Sequence, residues 1–237
     1  MGRIASFHLV RVPTWTAPVA MARLGTDRLR LARVPGLVFW RLLGTGRGDD
    51  TGPGIDPRRT AMFAVWEDEA ALDAFLGDSV IGRRWNAIAD SWHVRLRALG
   101  GHGTWRGFDV LAGMESGSQS VSDAAAGPPV AILTRADVRL GAWRSFGRAG
   151  RPVDDELHRA DGLIDVVGIG EAPVGRLATF SLWDSLAAAR RYASTMPEHV
   201  AVVERTRRER WYSEELFARF EPFGSSGAWN GRNPLRP

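Results

Sequence analysis

His199 is the residue whose type and position most suggest chemistry. It follows Met196-Pro197-Glu198, in a stretch from Ala178 to Phe220 that reads as strand, helix, break, helix and strand. Proline is favoured at the first position of a helix, and Thr195 is a candidate cap. The helix dipole disfavours an imidazolium in the first turn, and neutral imidazole is the form that ligates iron. A surface or capping histidine at a helix corner is the competing interpretation.

Arg135 is the second candidate, at an alternating position of the predicted strand AILTRAD. An arginine on a half-buried strand needs an anionic partner, such as a propionate or carboxylate, or serves as a polar group beside a ligand. Pairing with Asp or Glu across the sheet is the alternative. The ten tryptophans allow two interpretations as well: core positions of the fold, or the lining of a pocket for a flat or apolar ligand.

Several other chemistries have no support in the sequence. The chain has no cysteine, and it contains no dinucleotide-binding or Walker loop, no G-x-S-x-G elbow and no H-E-x-x-H motif. The five histidines are scattered, so a zinc site with two of them requires a tertiary coincidence. Catalysis by a protein nucleophile is therefore not indicated.

The charge pattern does not indicate nucleic-acid binding. All 31 basic residues are arginine, the net charge is only +4, and the arginines are interspersed with Asp and Glu. No uncharged apolar run is long enough to span a membrane, and the N-terminus does not resemble a secretory signal. We therefore expect a cytoplasmic protein.

The two halves of the chain resemble each other. Short segments recur in the same order at offsets of 117 to 126 residues: Gly36-Leu37 and Gly162-Leu163, AMFAVW (61–66) and ATFSLW (178–183), GTWRG (103–107) and GAWNG (227–231). This repetition predicts an α+β fold of tandem ferredoxin-like modules, a duplicated βαββαβ unit closing into a fused dimeric α+β barrel. We expect modules at 1–112 and 130–237, joined by a flexible linker at 113–129.

These segments together resemble the spheroidene monooxygenase family. The resemblance rests on FWRLLGTGRG, RRWNAIADSWHV, PVAILTRADVR, the Pro-Glu-His of 197–199, ERTRRERWYSEELFARF and the closing GAWNG, over nearly the whole chain. It implies a haem-dependent oxygenase or peroxygenase of the dimeric α+β barrel superfamily that carries haem b. The substrate implied is an apolar small molecule, such as a carotenoid or a secondary metabolite.

The resemblance also implies roles for individual residues. His199 falls on the position of the iron ligand in the second module, whereas the equivalent position in the first half is Gly82, so only the second module is expected to bind haem. Arg135, Val203 and Phe180 are expected to contact the cofactor, and Arg135, Thr179 and Ser181 to line the catalytic pocket.

Two other functions remain open at this stage. One is a non-catalytic haem- or ligand-binding module, and the other is a cofactor-free monooxygenase of the same barrel superfamily. Peripheral contact with a membrane is also left open, as is the choice between a monomer and a homodimer.

Overall fold

The computed structural model describes residues 2–46, 55–117, 127–142, 145, 156–171 and 176–236. The side chains at 140, 198, 199, 203 and 207 lie outside this description, as do residues 118–126 of the predicted linker. At the start of that linker, the Glu115 amide donates to the Arg3 carbonyl and the Gly117 amide to the Ala98 carbonyl. Glu115 and Gly117 are therefore held against Arg3 and Ala98 of the first half.

The described part of the first half contains four strands and three helices. In chain order they are β1 (Ile4–Arg11), α1 (Ala17–Leu31), β2 (Leu37–Thr45), β3 (Asp56–Trp66), α2 (Glu69–Asp78), α3 (Val80–Asn86) and β4 (Asp90–Gly103). The described part of the second half contains β5 (Val130–Val138), β6 (Leu163–Gly170), β7 (Arg176–Trp183), α4 (Leu186–Thr195), α5 (Pro197–Glu209) and β8 (Tyr212–Gly227).

The eight described strands form a closed antiparallel barrel, so the fold belongs to the α+β class. Around the barrel the order is β1-β3-β2-β6-β7-β5-β8-β4. Each half therefore contributes its four strands in the same relative order, β4-β1-β3-β2 and β8-β5-β7-β6. The two seams between the halves differ in length among the described residues: β4 and β8 pair from Trp92↔Gly227 to Gly103↔Leu216, whereas β2 and β6 pair at Gly44↔Gly170 and Thr45↔Ile169, followed by a hydrogen bond from the Gly46 amide to the Gly168 carbonyl.

Apolar side chains from both halves fill the barrel interior. Alternate residues of every strand point inward, because successive side chains of a strand face opposite sides of the sheet. Phe7 of β1 and Phe180 of β7 stack near-parallel with ring centroids 3.9 Å apart, and neither is exposed. The paired tryptophans Trp105 and Trp229 belong to this interior cluster, which confirms their interpretation as core residues.

The opposite faces of the strands carry the helices. In the first half, α2 and α3 cover Met62, Ala64 and Trp66 through Leu72 and Phe75, among other apolar residues. In the second half, α4 packs through Ala188 and Tyr192 against Trp183 and neighbouring residues.

The corner between α2 and α3 is tightly packed at Gly82, the third residue of α3. A Cβ atom there would overlap the Phe75 carbonyl oxygen and the Leu76 backbone, and the Gly82 amide is capped by the Ser79 hydroxyl at 2.8 Å. The corner between α4 and α5 has a different N-cap, without a side-chain hydrogen bond to the first turn. Thr195 is not the cap that we predicted: it ends α4, its hydroxyl donates to the Arg191 carbonyl, and Met196 is the N-cap of α5.

We predict that Gly82→Ala lowers the free energy of unfolding by about 1–3 kcal/mol, because the added methyl group has backbone atoms in its way. Urea denaturation measures the change. Gly77→Ala is the matched control, since a Cβ at Gly77 in α2 meets nothing within 4 Å. That substitution should be neutral or stabilise the protein by up to about 1 kcal/mol. Equal effects of the two substitutions would contradict the tight corner.

Candidate functional site

The outer face of the second half, on the side of the sheet that carries α4, has an accessible floor. A row of residues crosses its four strands in register: Gly168 of β6, Thr179 of β7, Thr134 of β5 and Phe217 of β8. Thr134 is exposed although it lies mid-strand, and Thr179 and Phe217 are only half-buried. Gly168 is buried, so the accessible part of this row extends from Thr134 to its neighbours Thr179 and Phe217.

The corresponding row in the first half is closed. It consists of Leu42 of β2, Met62 of β3, His8 of β1 and His93 of β4. All four side chains are at most 5% exposed. The two halves therefore share strand order but differ in the outer face, which is sealed in the first half and accessible in the second.

Helix α5 starts beside this accessible face. Met196, its N-cap, packs, like Phe217, against the buried cluster that contains Ile132 and Tyr192. Pro197 is the first residue of α5, as predicted, and His199 is the third. His199 and Gly82 thus hold the same position in their respective helices, α5 and α3. Val203 lies four residues further along α5.

The other predicted site residues are not brought together. Thr179 and Ser181 lie on the outer face, whereas Phe180 and Arg135 face the barrel interior. The Ser181 hydroxyl is buried and accepts a hydrogen bond from Trp183 Nε1 at 3.0 Å. Thr179 is therefore the predicted site residue that the described side chains place on the accessible face.

Arg135 is enclosed by carboxylates, as in the alternative interpretation of the sequence. Its guanidinium is 1% exposed and lies 2.6 Å from Glu214 Oε2 and 2.7 Å from Asp137 Oδ1. Burial raises the pKa of Glu214, but hydrogen bonds from the Gly107 amide, the Thr104 hydroxyl and other donors outweigh it and bring the pKa to about 2. Glu214 therefore stays ionised opposite Arg135.

A second charged group at the barrel end is centred on Glu171, which the sequence reasoning missed. Its carboxylate is 2.9 Å from Arg41 Nε and 2.7 Å from Arg106 Nη2, and it accepts a hydrogen bond from Trp105 Nε1 at 2.6 Å. A cavity of about 160 Å³ adjoins it, lined in part by Trp40. In sequence, Glu171 directly follows a strand ending in glycine, which does not reveal its partners.

The sealed row of the first half contains a buried histidine pair that was also missed. His8 Nδ1 and His93 Nδ1 are 2.9 Å apart. The outer nitrogens reach Ser6 Oγ at 2.7 Å and Ser91 Oγ at 3.0 Å. The signal was present in the sequence, since Ser-Phe-His (6–8) and Ser-Trp-His (91–93) repeat one pattern of serine and histidine on the same strand face.

Burial keeps both histidines neutral. It lowers the pKa of His8 well below its ordinary value, with a further contribution from His93. Burial, and then the charge of Arg95, lower the pKa of His93 from 6.5 to about 4. The Nδ1–Nδ1 hydrogen bond needs one protonated and one unprotonated nitrogen. Protonation of both Nδ1 atoms therefore breaks it.

In the part of the chain whose side chains are described, no group of three or more His, Asp or Glu residues could hold a metal ion. The described helices also include none that is long and apolar enough to cross a membrane.

We predict that acid destabilises the fold through the histidine pair. Histidines of the unfolded chain become protonated below about pH 6.5, whereas His93 of the folded chain stays neutral down to about pH 4. The free energy of unfolding therefore falls as the pH falls through this window. Each histidine contributes a slope of up to about 1.4 kcal/mol per pH unit. His8→Met combined with His93→Phe should flatten that slope in urea denaturation. His102→Gln, at an exposed histidine, should leave it unchanged, and an unaltered slope in the double variant would contradict this origin.

We predict a structural role for Arg135. Arg135→Met should lower the free energy of unfolding by about 3 kcal/mol, because removal of the cation leaves Glu214 and Asp137 partly buried without their partner. Adding Glu214→Gln should recover part of the loss, because it removes the carboxylate charge that Arg135 balanced, whereas Asp137 still lies 3.6 Å from Arg176 Nε. Denaturation of both variants measures the effect. A fully stable Arg135→Met protein would exclude the role.

Comparisons with known proteins agree with the barrel and identify relatives. A spheroidene monooxygenase from Rubrivivax gelatinosus is 38% identical over 199 residues, covering 84% of this chain and 73% of the relative. One from Rhodobacter capsulatus is 28% identical over 234 residues, covering 98% of this chain and 95% of the relative. No protein-family model matches the chain.

Among solved structures, an aldoxime dehydratase in complex with butyraldoxime superposes with a TM-score of 0.64 at 12% identity, over 99% of this chain and 85% of that one. This likeness concerns the fold alone. The identity to the R. gelatinosus protein extends over most of both chains and agrees with the segments noted in the sequence. The chain belongs to the spheroidene monooxygenase family.

Proposed function

We propose that this protein is a haem b-dependent oxygenase whose cofactor binds on the accessible outer face of the second half, with His199 as the iron ligand. The observation that carries the proposal is the difference between the two rows. On the second face Thr134 is exposed and Thr179 is half-buried, whereas Leu42, Met62, His8 and His93 fill the first. A flat cofactor needs an unfilled sheet face beside a helix that supplies a ligand.

The two helix corners support the same assignment. Position three of α3 is Gly82, where backbone atoms of α2 leave no room for a side chain. Position three of α5 is His199, on a helix whose N-cap, Met196, forms no side-chain hydrogen bond to the first turn. The positive end of the helix dipole favours neutral imidazole, which is the ligating form. The second half thus combines the accessible face with a candidate ligand.

Residues of this chain would set the surroundings of the cofactor. A bound haem with one histidine ligand supplies an open coordination position for oxygen or peroxide chemistry. Thr179 and Thr134 present hydroxyl groups at the floor of the face, where they can donate hydrogen bonds to a polar group. Ser181, on the same face, is buried and accepts a hydrogen bond from Trp183, so its hydroxyl is already engaged. Arg135 holds the barrel end together and takes no part in the pocket.

The family name supports an apolar substrate, such as a carotenoid or another apolar metabolite. The names of both relatives refer to spheroidene. Apart from its two hydroxyl groups, the accessible face is bordered by Phe217 and Ile132. A surface of this kind favours an apolar molecule with few polar groups.

We also infer that the halves are duplicated ferredoxin-like modules at 1–112 and 130–237. The equal strand orders and the repeated sequence segments support this origin. Duplication gave two equivalent outer faces, of which one was then available for a ligand.

We predict that protein produced with a haem precursor has a Soret band, and that His199→Ala shifts or abolishes it because the iron loses its ligand. His102→Ala, at an exposed histidine of β4, is the matched control and should keep the spectrum of the wild type. Spectra with dithionite and carbon monoxide report the ligand and the open position. A band unchanged by His199→Ala would exclude this ligand, and a haem-free wild type would favour a cofactor-free monooxygenase.

A second variant tests the floor of the face. Thr179→Met introduces the residue found at the corresponding position of the sealed row, Met62, and should weaken haem binding at least about tenfold by occupying the space. Titration of the apoprotein with haemin measures the affinity. Unchanged affinity in a folded variant would place the cofactor elsewhere.

A further inference from the structure

The helix α1 carries an apolar stripe that faces away from the barrel. Its inward side consists of Ala17, Leu24, Asp27 and Leu31, which are buried or partly buried. Val19, Ala22 and Leu29 share the opposite side, since positions three and seven apart lie on one face of a helix. The exposed fraction is 51% for Val19 and 69% for Leu29.

The stripe is extended by a tryptophan at the start of the helix. Trp15 lies in the short 3₁₀ turn Thr14–Thr16 that leads directly into α1, and it is 82% exposed. Met21, on the flank of the helix, is 42% exposed. Four of the six large apolar side chains that are exposed in the described chain therefore belong to this one segment. An isolated exposed leucine needs no explanation, but such a concentration does.

The exposed charges of α1 are all positive. Arg23, Arg28 and Arg30 are exposed along the helix, and Arg33 follows it. The single acidic residue in this stretch, Asp27, is buried and paired with Arg84 of α3 and with Arg30. The outward side of the segment thus combines tryptophan and aliphatic residues with cations, without an exposed carboxylate.

This combination suits a lipid surface better than a second copy of the chain. A helix that lies in the membrane interface buries an apolar face, anchors it with tryptophan and places arginines at the headgroups. Each basic residue near an anionic membrane adds to the electrostatic attraction. In a two-fold contact between copies, by contrast, the arginines of one α1 would meet those of the other, with no exposed acid on the helix to neutralise them.

We propose that α1, together with Trp15, docks this protein on the surface of a bilayer that contains anionic lipids. The helix lies along the headgroup region, with Trp15, Val19 and Leu29 inserted and the arginines beside lipid phosphates. The barrel is then held at the membrane, where an apolar substrate is concentrated. The docking surface belongs to the first half and does not depend on the cofactor of the second half.

Co-sedimentation with vesicles tests the proposal. The protein is mixed with vesicles of phosphatidylcholine alone or of phosphatidylcholine with phosphatidylglycerol. We expect binding to the anionic vesicles to be at least about tenfold stronger, and to weaken as salt is raised. Trp15→Glu combined with Leu29→Glu should lower the partition coefficient at least about tenfold, since both side chains lose apolar contact and gain charge.

Two further variants separate the apolar contribution to vesicle binding from the electrostatic one. Arg23→Gln with Arg33→Gln should weaken binding to anionic vesicles while leaving binding to neutral vesicles unchanged. Ser194→Glu with Ser213→Glu adds the same two negative charges as the first variant, but at exposed serines of the second half. This charge-matched control should keep most of the wild-type binding. Circular dichroism and urea denaturation confirm that each variant is folded.

Three outcomes would overturn the proposal. The first is a wild type that does not bind anionic vesicles, and the second is equal binding by the wild type and the Trp15/Leu29 variant. The third is vesicle-independent self-association that the same variant abolishes, which would assign the surface to a second copy. All of these readouts are independent of haem, so their failure and a failure of the proposed cofactor site can be distinguished.

Discussion

The stack of Phe7 against Phe180 in the middle of the barrel is the contact on which the rest of the structure depends. Phe7 comes from β1 in the first half and Phe180 from β7 in the second, with ring centroids 3.9 Å apart. Around them, inward side chains of all eight strands form one core. Because side chains occupy the interior of a barrel of this size, it serves as a core for the two halves. The filled interior is one reason to propose the ligand site on the outer face of the second half.

The two outer faces provide different environments on the same strand order. In the first, buried side chains and the histidine pair complete the packing beneath α2 and α3, and Gly82 lets the two helices approach to backbone contact. In the second, small residues leave Thr134 exposed in the middle of a strand. Four buried side chains, Leu42, Met62, His8 and His93, fill the corresponding row of the first face.

The positions of the charged residues in the barrel determine which of them are paired. Arg135 and Glu171 occur where inward positions reach the barrel end, and each is enclosed by groups of opposite charge, because an unpaired buried charge is costly. On α1 the arginines remain in solvent, and the apolar side chains beside them are exposed as well. The buried charged residues therefore stabilise the fold through ion pairs, whereas the arginines of α1 are exposed to solvent.

The sequence by itself determined the order of strand, helix, helix and strand between Ala178 and Phe220, the start of α5 at Pro197, the core role of the paired tryptophans and the family. These properties depend on local patterns and on segments that repeat along the chain. It did not determine which side of β5 faces inward, because Val130 and Ile132 on one side are as apolar as Ala131 and Leu133 on the other. Closure of the barrel buried Arg135 among carboxylates and left Thr134 and Thr179 outside. The pairing of His8 with His93 and the partners of Glu171 likewise arose only in the tertiary structure, since they join residues 85 and about 65 to 130 positions apart.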